Sequence, residues 1–177
     1  IMRVSSSDIY INDSVWNISP LCHIDFKKDK IYINHFDIYS GEQSVSLNGL
    51  FPKSNRDTLY VNFNNFDISN FDLLTKGYGI DIDGFIDGNF QMSGLSKRLT
   101  FLSNIDVNDI AVNKHIVGDA KLDAEWNAPD TSININAEVV RDNNIEDKIL
   151  VLNGKYFTSR NDNLDFKTDI NGIDISV

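Results

Sequence analysis

The chain has 177 residues and a formal net charge of −10, with 26 Asp and Glu against 16 Lys and Arg. That length suffices for one buried core, and the charge excludes both the basic stripe that nucleic acid needs and a charge-driven grip on an anionic membrane surface. The single cysteine, Cys22, excludes an internal disulfide framework, and no basic residues cluster around it in sequence to activate the thiol.

Alternation of apolar with polar residues marks strands that have one wet face. It begins at Asp8 to Ile11 and Val15 to Ile18, and resumes after Pro20 at Cys22 to Lys27, with Ile24 and Phe26 in phase. Lys28-Asp29 reads as a tight turn into Lys30 to Tyr39. Ile31 and Ile33 share one parity there, but Phe36 and Ile38 take the other, so a bulge or bend near His35 is needed to keep one face apolar. Gly41-Glu42 turns into Gln43 to Phe51, where Val45, Leu47 and Phe51 share a parity with Gly49, and Pro52 to Asp57 is a loop.

Thr58 to Ile68 repeats the slip: Leu59, Val61 and Phe63 are in phase, then Phe66 and Ile68 are not. IYINHFDIYS and LYVNFNNFDIS therefore read as copies of one unit. LSNIDVNDIAV, with Ile105, Val107, Ile110 and Val112, is a weaker third copy, and TDINGIDIS a fourth. Their spacing is too irregular for a strict solenoid. The only helix signal is Ser69 to Lys76: Ser69 serves as N-cap, Phe71 and Leu74 share a side as a lid, and Gly77 stops it.

From Gly77 to Asn127 strand follows strand. Ile80, Ile82, Ile86, Phe90 and Met92 fall on one parity against Asp81, Asp83 and Asp87. Leu99, Phe101, Ile105 and Val107 oppose Thr100, Asn104, Asp106 and Asn108. After the Pro129-Asp130 turn come Thr131 to Val140, Lys148 to Thr158 and Leu164 to Ile170. The sum is an all-β chain of about eleven or twelve strands joined by short loops, hence antiparallel neighbours. The chain opens on Ile1 without a leader or membrane span and closes in mid-pattern at Ile173, Ile175 and Val177, which predicts that residues 1–177 are one segment, undivided into domains, of a longer repeat protein.

Chemistry is not indicated. Asp81 to Asn89 carries Asp residues in a calcium-loop style, but Met92 stands where the bidentate Glu belongs, and alternation with Ile is what an outward strand face requires. His23, His35 and His115 lie far apart without partners at ligand spacing, and no phosphate loop, nucleophile elbow or Cys-His pairing occurs. The expectation is a non-enzyme with no metal and no cofactor. The aromatics Trp16, Tyr32, Tyr39, Tyr60, Tyr78, Trp126, Tyr156 and Phe157 make no regular row that a sugar platform would need, and strand packing accounts for them. The apolar parity admits two readings: a closed β-sandwich with a filled interior, or a bent sheet whose apolar side stays open as a trough.

The phrase GYGIDIDGFIDGNFQMSG, followed by LTFLSNIDVNDIAVNKHIVGDAKLDAEWNA and SININAEV, resembles the repeat region of the TamB/AsmA-like family of bacterial envelope proteins. Gly84 to Gly94, Ile105-Asp106-Val107, and Val117-Gly118-Asp119 through Trp126 hold the places of the family's motifs, and NFDISNFDLL is similar to its strand and short helix. The likeness runs over about residues 31–177, and its Asp/Asn/Ile-rich flavour resembles the versions of Bacteroidetes. It implies a long antiparallel sheet curled into a U-shaped, taco-like trough in the periplasm, part of an inner-membrane-anchored protein reaching the outer membrane. It implies phospholipid passage between the membranes or support of outer-membrane assembly, with phospholipid acyl chains as ligand and no catalytic residues. An Omp85-type outer-membrane barrel protein would be the partner, through another part of the full-length chain. The lining expected on this reading is Ile82, Phe90, Met92, Phe101, Ile105, Val107, Leu122, Ile133 and Ile135, with Phe71 and Leu74 as lid. The alternative is a non-catalytic scaffold or sandwich that binds protein partners along an edge strand, or carbohydrate, at the cell envelope.

Overall fold

The computed structural model describes residues 2–3, 7–11, 14–28, 30–51, 56–71, 77, 79, 81–94, 100–141, 144, 146–158 and 163–172. They form thirteen strands: β1 Met2–Arg3, β2 Asp8–Ile11, β3 Ser14–Ile18, β4 His23–Lys27, β5 Lys30–Ser40, β6 Gln43–Leu50, β7 Thr58–Asp67, β8 Ile82–Ser93, β9 Thr100–Val112, β10 His115–Asn127, β11 Ser132–Val140, β12 Lys148–Phe157 and β13 Leu164–Ile170. All belong to one sheet. From β4 to β13 each strand pairs antiparallel with the next, and β1 pairs with β4. Half of β5 pairs with β4, while its far half, at Ile38 and Tyr39, pairs with β3 of the β2–β3 hairpin. Among the described residues β13 pairs with β12 alone, so the sheet does not close into a barrel.

The parity slips resolve as bulges of one design. In β5 the register jumps between Ile33 and Phe36, in β7 between Phe63 and Phe66, and in β9 between Val107 and Ile110. At each jump one non-glycine residue takes a left-handed backbone: His35 (φ 50°), Asn65 (φ 47°) and Asp109 (φ 55°). A bulged residue loses its ladder partner, and in all three cases a side chain from the next strand replaces it. The amide of His35 donates to Asn48 Oδ1, that of Asn65 to Asp87 Oδ1 and that of Asp109 to Asp119 Oδ1, each at 2.8 Å. The three sequence copies are thus three copies of a bulge clipped by an Asn or Asp. The fourth, TDINGIDIS, is described only as far as Gly172 and shows no bulge there.

Because each bulge absorbs one residue, a single face stays apolar across the sheet. The tightest packing is at its N-terminal half, where Trp16, Val45, Leu59, Val61 and Phe66 are buried with Ile9, Ile11, Ile33, Ile38 and Leu47 packed around them. The expected helix is corrected in part. Its described portion is a 3-10 turn over Ile68–Phe71, and Ser69 is not its cap. Asp67 plays that role, its Oδ1 accepting from Ser69 N–H at 2.9 Å, while Asp67 N–H and Asn70 Nδ2 both donate to Gln43 Oε1. An aspartate just ahead of the turn reaches the orphan amide more directly than a serine inside it. Leu74 and the Phe71 side chain, expected as a lid, lie outside what is described.

Candidate functional site

The nine residues expected to line a groove fall on one face of four neighbouring strands: Ile82, Phe90 and Met92 on β8, Phe101, Ile105 and Val107 on β9, Leu122 on β10, and Ile133 and Ile135 on β11. Register brings them together in rows. Met92 stands opposite Phe101, Ile105 opposite Leu122, and Trp126 opposite Ile133. Ile82, opposite Val112, sits at the far end of the same face, beyond the Asp109 bulge. Aromatic rings run along the near part: Phe66 to Phe63 at 5.7 Å, Phe63 to Phe90 at 6.2 Å and Phe90 to Phe101 at 5.7 Å between centroids.

Two features give this face the character expected of a groove. First, none of the nine is fully buried, although Phe90 and Met92 pack against the buried N-terminal cluster. Second, small residues alternate with the large ones. One row reads Phe90, Ser103, Ala124, Ile135, Gly154, Phe166; the next reads Gly88, Ile105, Leu122, Ala137, Leu152, Thr168. The small side chains form a floor between bulkier walls. Sequence reasoning ranked positions by bulk and so missed Ser103, Ala120, Ala124 and Ala137; their small size on the apolar parity is the signal that marks them. At the C-terminal rim Leu164, Phe166 and Ile170 are 64%, 36% and 59% exposed, and at the other rim Phe26 is 58% exposed.

The electrostatics of the groove are bland. Its polar members include Ser103, buried with an Oγ that has no hydrogen-bond partner, Tyr156 opposite Ile133, and Thr168 on the exposed edge strand. Ionic contacts lie elsewhere: Lys30 to Asp57 at 3.0 Å, Lys148 to Glu138 at 2.8 Å and Lys155 to Asp130 at 2.6 Å. A cavity of about 320 Å³ opens at the ends of β7 to β10, lined by Thr58, Gln91, Ser93, Thr100, Leu102 and Glu125 from the wet face, with Phe101 and Trp126 from the apolar one. Among the described residues no three His, Cys, Asp or Glu side chains are grouped to hold a metal ion. Cys22 is buried; burial pushes its thiol pKa up and the Asp37 carboxylate adds to the effect, so it is a poor nucleophile.

No family model matches the chain, and no curated protein or solved structure matches it.

Proposed function

We propose that this chain is a non-catalytic, lipid-conducting segment of the cell envelope, whose apolar groove shelters phospholipid acyl chains between the inner and outer membranes. The single observation that carries the reading is the solvent access of all nine lining residues on a continuous apolar face. A chain of this size normally spends such residues on a filled core. An acyl chain in water forfeits about 0.8 kcal/mol per methylene, and a greasy strip returns that at each point along its length. The floor of small residues leaves room for the chain. A head group left at the rim meets solvent and needs no dedicated site. The resemblance to the TamB/AsmA-like family supports the same reading, together with a periplasmic setting and an Omp85-type partner reached through other parts of a longer protein.

The test is photo-crosslinking in cells from probes at Phe101 and Leu122, with probes at Asn104 and Asp123 on the opposite face as controls. Phospholipid adducts at the first pair alone are expected; adducts at neither pair would sink the proposal. One observation favours a second reading, a strand-accepting scaffold. All seven residues of β13 are exposed and its outer edge has no partner among the described residues, which is the surface that β-augmentation uses.

A further inference from the structure

The wet face carries a pattern that the groove does not use. Register aligns Asn62 on β7 with Asn89 on β8, Asn104 on β9, Asp123 on β10, Asn136 on β11 and Asn153 on β12. Ser46 precedes this row on β6 and Lys167 follows it on β13. Six successive strands thus place an amide or carboxylate side chain in one line perpendicular to the strands, at a step of about 4.8 Å and over about 24 Å.

Strand formation does not account for the row, since asparagine is a poor residue for mid-strand positions. Nor is the row a generic wet surface. The line two residues along reads Asp87, Asp106, Lys121, Glu138, Val151 and Asp169, and is dominated by charge. Only part of the hydrogen-bonding capacity is used internally: Asn62 Nδ2 donates to Ser46 Oγ at 3.3 Å and Asn104 Nδ2 to Asp123 Oδ1 at 2.8 Å. Among the described residues Asn89, Asn136 and Asn153 have exposed amides with no hydrogen-bond partner.

We propose that this row binds an uncharged, extended oligosaccharide laid across the strands. A carboxamide offers two donors and an acceptor, which together match a pair of neighbouring sugar hydroxyls. In an extended β-linked chain each sugar advances by nearly one strand spacing, so successive rings meet successive strands. Tyr60, 49% exposed and two residues from Asn62 on the same face, supplies an aromatic surface for a ring, and the cavity at Gln91, Leu102 and Glu125 lies directly alongside. The acidic line on the other flank and the overall charge of −10 repel polyanions, so acidic polysaccharides are disfavoured, and the carboxamides match the hydroxyls of a neutral chain. This site is on the opposite face from the groove and stands independently of the lipid reading.

The test titrates cellohexaose and chitohexaose, their disaccharides, and an oligouronate of similar length into the 177-residue protein, read by calorimetry and by the NMR signals of the asparagine side-chain amides. A neutral hexasaccharide is expected to bind saturably, at least about tenfold tighter than the disaccharide, with the oligouronate failing to bind. Shifts should concentrate on Asn62, Asn89, Asn104, Asn136 and Asn153. The triple variant Asn89→Ala, Asn104→Ala, Asn136→Ala should weaken binding at least about tenfold while keeping the thermal midpoint of the parent. Absence of saturable binding by either hexasaccharide, or binding that the triple variant leaves intact, would overturn the proposal.

Discussion

The ring of Trp16 lies 5.7 Å from the ring of Phe66, tilted by 46°, although three strand spacings separate their strands in the sheet. Trp16 is on β3, which pairs with β5, and Phe66 is on β7, beyond β6. In a flat sheet the two would stand roughly 14 Å apart. The contact therefore requires the sheet to curl over its apolar face, and it places the β2–β3 hairpin across the N-terminal end of the groove. The apolar face is covered at this end, while from β8 to β13 its large side chains are partly buried or exposed.

Trp16 has no exposed surface, and its indole Nε1 finds no hydrogen-bond partner. Its contribution is thus packing alone. Trp16→Ala is expected to cost about 3–5 kcal/mol by chemical denaturation, as for a large buried ring. Trp16→Phe should cost much less, because it keeps a ring in place and removes the unpaired N–H. Losses under about 1 kcal/mol for both would mean that the hairpin is held by something other than this contact.

The bulge clips make a second prediction. Asp87→Ala removes a charged acceptor from the Asn65 amide and should destabilise by about 1–3 kcal/mol, with Asp119→Ala similar and the neutral Asn48→Ala toward the lower end. Asn65→Gly should be well tolerated, since glycine accepts φ 47° without strain, whereas Asn65→Val should lose about 1–2 kcal/mol. Gly88 is intolerant for a different reason: a Cβ there would lie 2.2 Å from Asn104 O, with φ at 130°. Gly88→Ala should unfold the central strands, and a cooperative melt near that of the parent would contradict this account.

These clips also explain what was legible in the sequence. Alternation is a local property, so the strands from Asp8 to Ile170 and the antiparallel meander follow from it almost residue for residue. The need for a bulge near His35 was visible as a parity slip at Phe36, and the matching slip at Phe66 identified the repeat. The clipping partner was not visible, because Asn48, Asp87 and Asp119 look like any other outward polar residue until register sets them beside a bulge. The same holds for the asparagine row. Asn89 and Asn104 are 15 positions apart in the chain, and only pairing shows that they are neighbours. At Ser69 the described residues show one 3-10 turn ending at Phe71, which a capping serine signal does not distinguish from an α-helix; residues 72–76 of the expected helix lie outside the described residues. Curvature was illegible, because it depends on contacts such as Trp16 to Phe66 that span strands.

The ion pairs set the pH dependence. Asp130 is held below the usual carboxylate range, first by the Lys155 ammonium that donates to it and further by the Ser132 hydroxyl, with burial opposing. A lowered carboxylate pKa stabilises the fold above the unfolded-state value, and that contribution fades as pH falls through the folded-state value. The gap in thermal midpoint between the parent and Asp130→Asn should therefore be open at neutral pH and close in acid. Lys30 has the opposite sign: its pKa is raised, chiefly by its hydrogen bond to Asp57 and then by that residue's charge. Its contribution is complete below the ordinary lysine pKa and is lost as pH climbs through the raised one, so the gap to Lys30→Gln should close only in alkali. Gaps that stay constant across both ranges would show that neither pair is linked to folding.

Whether the groove is open has a direct test in its floor. Ala137 sits between Leu122 and Leu152 in the row of small and large residues, and it is only partly buried. In a filled core, a phenylalanine at such a position would force neighbours off their rotamers at about 1–3 kcal/mol. In an open groove the ring enters solvent-accessible space beside apolar walls, so Ala137→Phe should leave stability within about 0.5 kcal/mol of the parent or raise it. Gly154 cannot serve for this experiment, since a Cβ there would collide with Phe166 Cδ1 and Asp165 O at 2.3 Å. The same Ala137→Phe variant narrows the path that an acyl chain would follow, so phospholipid adducts at Leu122 should fall while the fold persists. Retained stability with undiminished adducts would place the lipid elsewhere on the sheet. A loss of several kcal/mol would mean that the face is packed shut, and the strand-accepting scaffold would become the better reading.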